Sequence, residues 1–293
     1  MSRWDRQLSF RGWKWVASAL GAASLAWVVL LGTRAREEPV RCGSLFESKE
    51  ARCCAPGQGV SAGQCVGMPE KCPAPFLLVR QPTPGCVFPD SRVFIEGGSV
   101  TIGPTDWDSV EIVEKHTLAV RPYFIDQTEV TVHRYSACVA DGLCEPLKQD
   151  AEPGRPVTGL SIEAATRFCT YSAGRLPTPA EWMFAASGSE GRRFPWGSHG
   201  LVCRRATYGL ASGPCADGGA FPDLAGLHPE GATPEGIQDL AGNAAEWTLS
   251  EEGTPSVRGG SYRSKTAGDL KVWSTQAAQA RDDVGFRCVY PVK

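Results

Sequence analysis

A glycine-rich segment near the C-terminus, Arg258–Asp269, carries residue types that can do chemistry. It begins Arg258-Gly259-Gly260-Ser261-Tyr262, and Ser264 and Asp269 follow within the next seven positions. Two adjacent glycines let the backbone turn sharply or approach another group closely. Hydroxyl, phenol and carboxylate groups then lie beside the turn, so the segment predicts a polar binding or reaction site. Taken alone, a glycine pair is equally typical of an ordinary turn.

Three other motifs accompany this loop along the chain. In Arg175-Leu176-Pro177-Thr178-Pro179-Ala180-Glu181-Trp182, Thr178 and Glu181 have the spacing of a capping box. With Pro179 at the first helical position, this motif predicts a short helix that ends near Ser187 and is closed by Gly188. The other two motifs are Gly242-Asn243-Ala244-Ala245-Glu246-Trp247 and Gly285-Phe286-Arg287-Cys288.

In their order and spacing the four motifs resemble the formylglycine-generating enzyme family, also called the sulfatase-modifying-factor domain, from about Val93 to Val292. The segment Phe124-Ile125-Asp126-Gln127-Thr128-Glu129-Val130-Thr131 adds to this resemblance. The resemblance implies an α+β, loop-rich fold of the C-type-lectin-like type. It also implies a Cu(I) centre that is held by two cysteines and, with oxygen, converts a substrate cysteine to formylglycine.

The sequence departs from the family at the copper positions. Carried across position by position, the two cysteines fall at Ser264 and Asp269, and Ala245 stands where the family usually has tryptophan. Cu(I) is a soft ion that prefers thiolate ligands, whereas a hydroxyl and a carboxylate are hard ligands. We therefore expect that the family fold is kept, that its copper chemistry is lost, and that copper is not a cofactor.

The resemblance further implies a calcium site in the second motif. Its matching positions are Asp239, Gly242, Ala244 and Glu246. Two side-chain oxygens and two backbone carbonyls suit a hard cation held in a loop. The alternative is that Asp239 and Glu246 serve only as hydrogen-bonding side chains.

The first 35 residues have the pattern of a membrane anchor. Four basic residues precede an apolar run from Trp15 to Gly32, which is just long enough to span a bilayer. Arg34 and Arg36 make the sequence after the run a poor cleavage site, so an uncleaved anchor is favoured over a removed signal peptide or a buried core helix. The basic residues place the N-terminus inside and the rest of the chain in the periplasm or extracellular space.

Twelve cysteines, none of them in the apolar run, indicate disulfides formed in an oxidising compartment. Zinc binding is the alternative, although the irregular spacings do not form paired ligand sets. Residues 36–90 hold six cysteines and predict either a small module with three bridges or an extended, bridged stalk before a domain at 91–293. The family resemblance implies a Cys169–Cys288 bond, and proximity in sequence predicts Cys138–Cys144 and Cys203–Cys215.

Local patterns predict several elements of the domain. Gly97 and Gly98 separate two short apolar runs and predict a hairpin of Val93–Ile95 with Val100–Ile102. Further strands are expected at Leu118–Val120 and Tyr123–Ile125. Two helices are expected, one capped by Thr131 and reaching Ala140, the other capped by Ser161 and stopped by Gly174.

Two classes of function follow from these features. The first is an exported, membrane-tethered and non-catalytic binding or assembly module, which presents Ser261–Asp269 to a protein or glycan partner. The second is an oxidase that acts on a protein or peptide substrate in the extracytoplasmic space. A net charge of −2 gives no reason to expect nucleic acid as a partner.

Overall fold

The computed structural model describes residues 46–49, 52–62, 64–80, 83–102, 116–148, 151–198, 200, 205–208 and 221–292. Val40–Lys293 forms one compact unit. Among the helices of the described ranges, none is both long and apolar enough to cross a membrane. The expected anchor at Trp15–Gly32 and the expected Cys203–Cys215 bridge lie outside the described residues.

The cysteine-rich segment contains short paired strands, although its sequence shows no strand periodicity. Each strand has only three residues, too few for an alternating pattern to be recognised. Two disulfides, Cys54–Cys65 and Cys72–Cys86, hold the described part of the segment together. The antiparallel pairs are β1 (Glu47–Lys49) with β2 (Arg52–Cys54), β3 (Gly59–Ser61) with β4 (Gln64–Val66), and β5 (Leu77–Val79) with β6 (Gly85–Val87).

This segment shares a small hydrophobic core with the rest of the compact unit. Phe76 and Cys86 are buried against Leu224 and Leu227. Gly154 lies directly against Cys86. A Cβ added to Gly154 would come within 2.0 Å of the Cys86 carbonyl oxygen. The described part of the segment therefore packs against residues of the domain that follows it.

Beyond the module, nine short strands form three sheets in the described residues. β10 lies between β7 and β15, β8 pairs with β9, and the third sheet has the order β13-β12-β11-β14, in which β14 runs parallel to β11. The expected strands at Leu118–Val120 and Tyr123–Ile125 are confirmed within β9 and β10. The strands are β7 (Arg92–Ile95), β8 (Gly98–Ile102), β9 (His116–Val120), β10 (Tyr123–Asp126), β11 (Ala245–Leu249), β12 (Pro255–Arg258), β13 (Thr275–Gln276), β14 (Val284–Gly285) and β15 (Val289–Pro291).

The expected hairpin between Val93–Ile95 and Val100–Ile102 is wrong, because these strands belong to different sheets. Gly97 and Gly98, with φ of 77° and 133°, lead the chain out of β7 and into the pair formed by β8 and β9. A Cβ at Gly97 would lie 2.6 Å from the carbonyl oxygen of Val120. Gly97 therefore allows the chain to pass close to the end of β9, and the glycine pair does not form a tight hairpin turn.

Three α-helices lie in the described residues and begin where the capping patterns predict: α1 (Val132–Ala140), α2 (Ile162–Tyr171) and α3 (Pro179–Ser187). Thr131, Ser161 and Thr178 each accept a hydrogen bond from the backbone N–H three residues later. Gly188 closes α3 with φ of 62°, as expected. After α2 it is Ala173, not Gly174, that takes the left-handed conformation, with φ of 60°.

The Cys169–Cys288 disulfide joins α2 to the residue before β15 and is confirmed, as is Cys138–Cys144 after α1. Both bridges lie in a core where Phe168 packs against Phe286, with ring centroids 5.6 Å apart. Short sheets, few helices and long ordered loops around this core confirm the expected α+β, loop-rich architecture.

Candidate functional site

The glycine loop after β12 is fixed to the loop that precedes β11. The N–H of Gly242 donates to the Gly259 carbonyl, and the N–H of Tyr262 donates to the Asn243 carbonyl, both at 2.9 Å. Gly259 and Gly260 have φ of 89° and 67°. A Cβ at Gly260 would come within 2.5 Å of the Leu270 side chain, so the loop can pack this closely only because it has glycine there.

Ser264 and Asp269, which stand at the copper positions of the family, both hold the loop in shape. The Ser264 hydroxyl accepts a hydrogen bond from the N–H of Ser261 at 3.0 Å, and the Ser264 side chain is buried. The Asp269 carboxylate accepts from the N–H of Thr266 at 3.3 Å, at the start of a short 3-10 helix over Ala267–Leu270. Each side chain therefore bonds to backbone where the family has a thiolate ligand.

A second set of polar contacts fixes the beginning of the same loop. The Ser261 hydroxyl donates to Asp283 at 2.7 Å and accepts from the N–H of Arg263 at 3.1 Å. Arg281 donates to the other oxygen of Asp283 at 2.8 Å. Burial alone would raise the pKa of Asp283, but the hydrogen bonds from Arg281 and Ser261 outweigh it and leave the pKa below its ordinary value. Asp283 thus stays ionised and holds the loop at neutral pH.

Two depressions flank the loop and share Arg263. The smaller, of about 310 Å³, is polar and includes Ser264, Lys265 and Asp269. The larger, of about 550 Å³, is a mixed cleft lined by apolar side chains such as Leu160, Phe221 and Pro222, with charged groups at its edge. Arg263 is held between them by two 2.7 Å hydrogen bonds to the carboxylate of Asp282.

The remaining residues of the predicted site are less accessible. Tyr262 is almost completely buried, and Arg263 lies over its ring, 5.2 Å from the centroid. Arg258 lies on β12, where burial lowers the pKa of its guanidinium to about 10. Two of its guanidinium nitrogens have no hydrogen-bond partner within the described part of the chain. Ala245, which stands where the family usually has tryptophan, lies on β11 and is fully buried in the hydrophobic core.

Glu246 of the expected calcium set lies in a buried ion pair. Its carboxylate accepts from Arg287 at 2.7 and 2.8 Å and from the indole N–H of Trp182 at 2.7 Å. Neither Glu246 nor Arg287 is exposed to solvent. Arg287 also donates to the carbonyls of Asp126 and Gln238. Its guanidinium therefore connects β10, which contains Asp126, with β11, which contains Glu246, and with the loop that precedes β11.

Asp239, the other acid of that set, has φ of 58° and accepts from the N–H of Gly226 at 2.6 Å. Glu129 lies beside it, as a third buried acid that the sequence analysis did not assign to the site. Its Oε1 accepts from the Asn243 side chain and from the N–H of Ala244, while Oε2 has no hydrogen-bond partner in the described residues. Glu129 belongs to the segment Phe124–Thr131. The resemblance of that segment to the family is the sequence signal that could have identified Glu129 as a site residue.

A cluster of buried carboxyl groups surrounds Asp239. Three buried carboxyl groups, those of Glu129, Asp239 and Glu246, lie near the guanidinium of Arg287. Burial, followed by the charge of Asp239, raises the pKa of Glu129 well above its ordinary value, and burial also raises the pKa of Asp239. In the described residues no three His, Cys, Asp or Glu side chains converge on one point, so a cation here would also need backbone oxygens.

The glycine loop of this loop-rich α+β domain lies against Trp182, which belongs to the buried Trp182–Glu246–Arg287 network. Residues 80–292 match the family described as Sulfatase-modifying factor enzyme 1-like domain, and the chain belongs to this family. The match begins ahead of the expected boundary at residue 91 and includes β6, which lies in the cysteine-rich module.

Curated relatives include proteins with and without the named activity. The chain is 30% identical over 167 residues to the Inactive C-alpha-formylglycine-generating enzyme 2 of Bos taurus, across 48% of this chain and 54% of that protein. It is 28% identical over 165 residues to the Formylglycine-generating enzyme of Bos taurus, across 46% and 44%. The chain therefore spans about half the length of the curated relatives that it matches.

Two solved structures share the fold. Treponema denticola variable protein 1 has a TM-score of 0.54 at 19% identity, over 69% of this chain and 95% of that one. PvdO from Pseudomonas aeruginosa also has a TM-score of 0.54 at 19% identity, over 76% and 100%. At this level of identity the likeness concerns the fold alone.

Proposed function

We propose that this chain is an exported, membrane-tethered binding or assembly module without formylglycine-forming activity, and that it presents Ser261–Asp269 to a protein or glycan partner. The observation that carries the proposal is the bonding of Ser264 and Asp269. Both side chains are engaged with backbone N–H groups of the loop itself. The loop therefore keeps its shape without a metal ion between these two positions.

The chemistry of the donors supports the loss of copper catalysis. Cu(I) is held by thiolates, and Ser264 and Asp269 offer only oxygen. Cys288, the next cysteine after the loop, is bonded to Cys169 in the core and has no thiol to contribute. The relative named as an inactive enzyme shows that the family includes a member described as lacking the activity.

The surface beside the loop supports a role in binding. The larger cleft has the volume of a typical ligand site and combines apolar walls with a few charged groups. Arg263, which lines this cleft, and Lys265, which lines the smaller depression, are both exposed on a loop whose ends are fixed by hydrogen bonds. A rigid loop with exposed side chains loses little conformational entropy when it binds a partner.

Export agrees with the disulfides, because four bridges within the described residues require an oxidising compartment to form and persist. In this proposal the apolar run Trp15–Gly32 is the tether and the compact unit is periplasmic or extracellular.

The absence of catalysis is tested with the purified chain, copper, oxygen, a reductant and a peptide that carries Cys-x-Pro-x-Arg. Mass spectrometry should find no aldehyde above a protein-free control, while an active formylglycine-generating enzyme serves as the positive control. The matched double variant, Ser264→Cys with Asp269→Cys, places a thiolate at both positions. In a competition with a chelator this variant should bind Cu(I), whereas the native chain should bind none. Aldehyde formed by the native chain would support the oxidase alternative and end the proposal.

The binding role is tested with a photo-crosslinking amino acid at Lys265 in intact producing cells. Adducts are expected at Lys265 and not at Glu252, an equally exposed position in the turn before β12. The adducted species is then identified as protein or as glycan by digestion with protease or with glycosidase. If Lys265 gives no adduct, or gives the same adducts as Glu252, the loop is not the binding surface.

A further inference from the structure

A separate cleft of about 610 Å³ lies between α1, α2 and the residues that lead into β7. None of the residues of the glycine loop or of the calcium set lines it. Its volume falls in the range of small-molecule sites in proteins. The apolar part of its wall comes from Ala137, Phe168 and Tyr171, and its polar part includes Arg92 and Arg134.

Both arginines of this cleft are positioned by one tyrosine. The guanidinium of Arg92 lies over the ring of Tyr290, 3.4 Å from its centroid. Arg134 donates a 2.6 Å hydrogen bond to the hydroxyl of the same tyrosine, and that hydroxyl donates to Asp126 at 2.9 Å. Burial, together with the charge of Asp126, raises the pKa of Tyr290 to about 12, so the hydroxyl keeps the proton that this chain of hydrogen bonds needs.

The pairing of charges around the two arginines is incomplete. Arg134 forms an ion pair with the buried Asp126 at 2.9 Å. The polar contact of Arg92 in the described residues is one 3.4 Å hydrogen bond to the Ser172 carbonyl, and no carboxylate pairs with it there. Asp90, the remaining acid of the cleft, lies 3.8 Å from Nε of Arg134, beyond hydrogen-bond distance, and its side chain is 64% exposed.

We propose that this cleft binds a small organic oxyanion, with the anionic group between Arg92 and Arg134 and an apolar body against Phe168 and Tyr171. Guanidinium groups match the geometry of carboxylate and phosphate oxygens, and a fixed guanidinium loses less entropy on binding. Asp90 then acts as a weak internal competitor that the bound anion displaces. This site is independent of the role proposed for Ser261–Asp269.

The test uses the purified full chain with phenylacetate as the probe, in isothermal titration and in saturation-transfer NMR. Arg92→Gln should weaken binding about tenfold, because it removes a charge-assisted hydrogen bond. Asp90→Asn should strengthen binding about threefold, because it removes an exposed like charge. Arg167→Gln is the matched control: it lies on α2, is exposed and outside the cleft, and should leave binding unchanged.

Arg92 and Asp90 are both exposed, so all three variants should keep the melting temperature of the native chain. Acetate should bind more weakly than phenylacetate, since it lacks the apolar body. Comparison of phenyl phosphate with phenylacetate then identifies the preferred oxyanion. The proposal is overturned if phenylacetate does not bind, if Arg92→Gln behaves like Arg167→Gln, if Asp90→Asn weakens binding, or if acetate binds as tightly.

Discussion

Calcium should stabilise the folded chain at the buried carboxyl groups of Glu129 and Asp239, because burial disfavours their ionised forms unless a cation compensates the charge. A ligand that binds only the folded state adds about 2.7 kcal/mol at a hundred times its dissociation constant. For a compact unit of roughly 250 residues, that increment corresponds to a rise of about 5 °C in melting temperature.

Protons compete with the cation for the same oxygens, so the calcium effect should depend on pH. The folded-state pKa values of Glu129 and Asp239 are both raised, chiefly by burial. In EDTA, the two protonated carboxyls contribute fully to stability below the ordinary carboxyl pKa near 4 and lose that contribution as pH rises through their raised values. Calcium should therefore add little at pH 5 and more at pH 8.

The assay is differential scanning calorimetry of the native chain, of Asp239→Ala and of Glu252→Ala, each in EDTA and in millimolar Ca²⁺ at both pH values. Asp239→Ala will itself destabilise the fold, because Asp239 is buried and alanine must take a left-handed backbone. The quantity compared is therefore the increment with calcium, which should vanish in Asp239→Ala and persist in Glu252→Ala. The same melting temperature for the native chain in EDTA and in calcium at pH 8 would refute the charge argument.

Three other outcomes are expected. Glu246→Gln breaks the buried ion pair with Arg287 and should lower the free energy of unfolding by about 3–5 kcal/mol in urea titrations, whereas a loss below 1 kcal/mol would contradict the buried pair. Non-reducing peptide mapping should recover Cys169 joined to Cys288, and replacing both with serine should lower stability by up to about 4–5 kcal/mol in the chain-entropy model; a free thiol at either position would contradict this pairing. A chain anchored through Trp15–Gly32 should stay with membranes after a carbonate wash, and a mature N-terminus at Arg36 would show that the segment is cleaved.

Features that depend on a few neighbouring residues could be predicted from the sequence. The three α-helices of the described residues begin directly after Thr131, Ser161 and Thr178, as the caps indicate, because an N-cap satisfies backbone N–H groups within its own first turn. Family resemblance supplied the pairing of Cys169 with Cys288, which are 119 residues apart. No local pattern in the sequence indicates that pairing.

Features that depend on distant partners could not be predicted in the same way. Gly97 and Gly98 have the local composition of a hairpin turn, yet a Cβ at Gly97 would clash with the carbonyl of Val120, which lies beyond the next strand. Glu129 and Asp239 come together from distant parts of the sequence, so their shared burial and altered pKa values leave no local signal. The roles of Ser264 and Asp269 within the loop likewise required its folded geometry.

The contact between Gly154 and the carbonyl of Cys86 bears on how this protein can be divided. A chain cut between residues 90 and 91 would lose Phe76 and Cys86 from one side of a shared apolar core. Leu224 and Leu227 would then face water on the surviving piece, on the same loop that supplies the Gly226 N–H to Asp239. Such a fragment should aggregate and weaken the carboxylate cluster at the same time, so the cysteine-rich module is needed for the solubility of the domain that follows it.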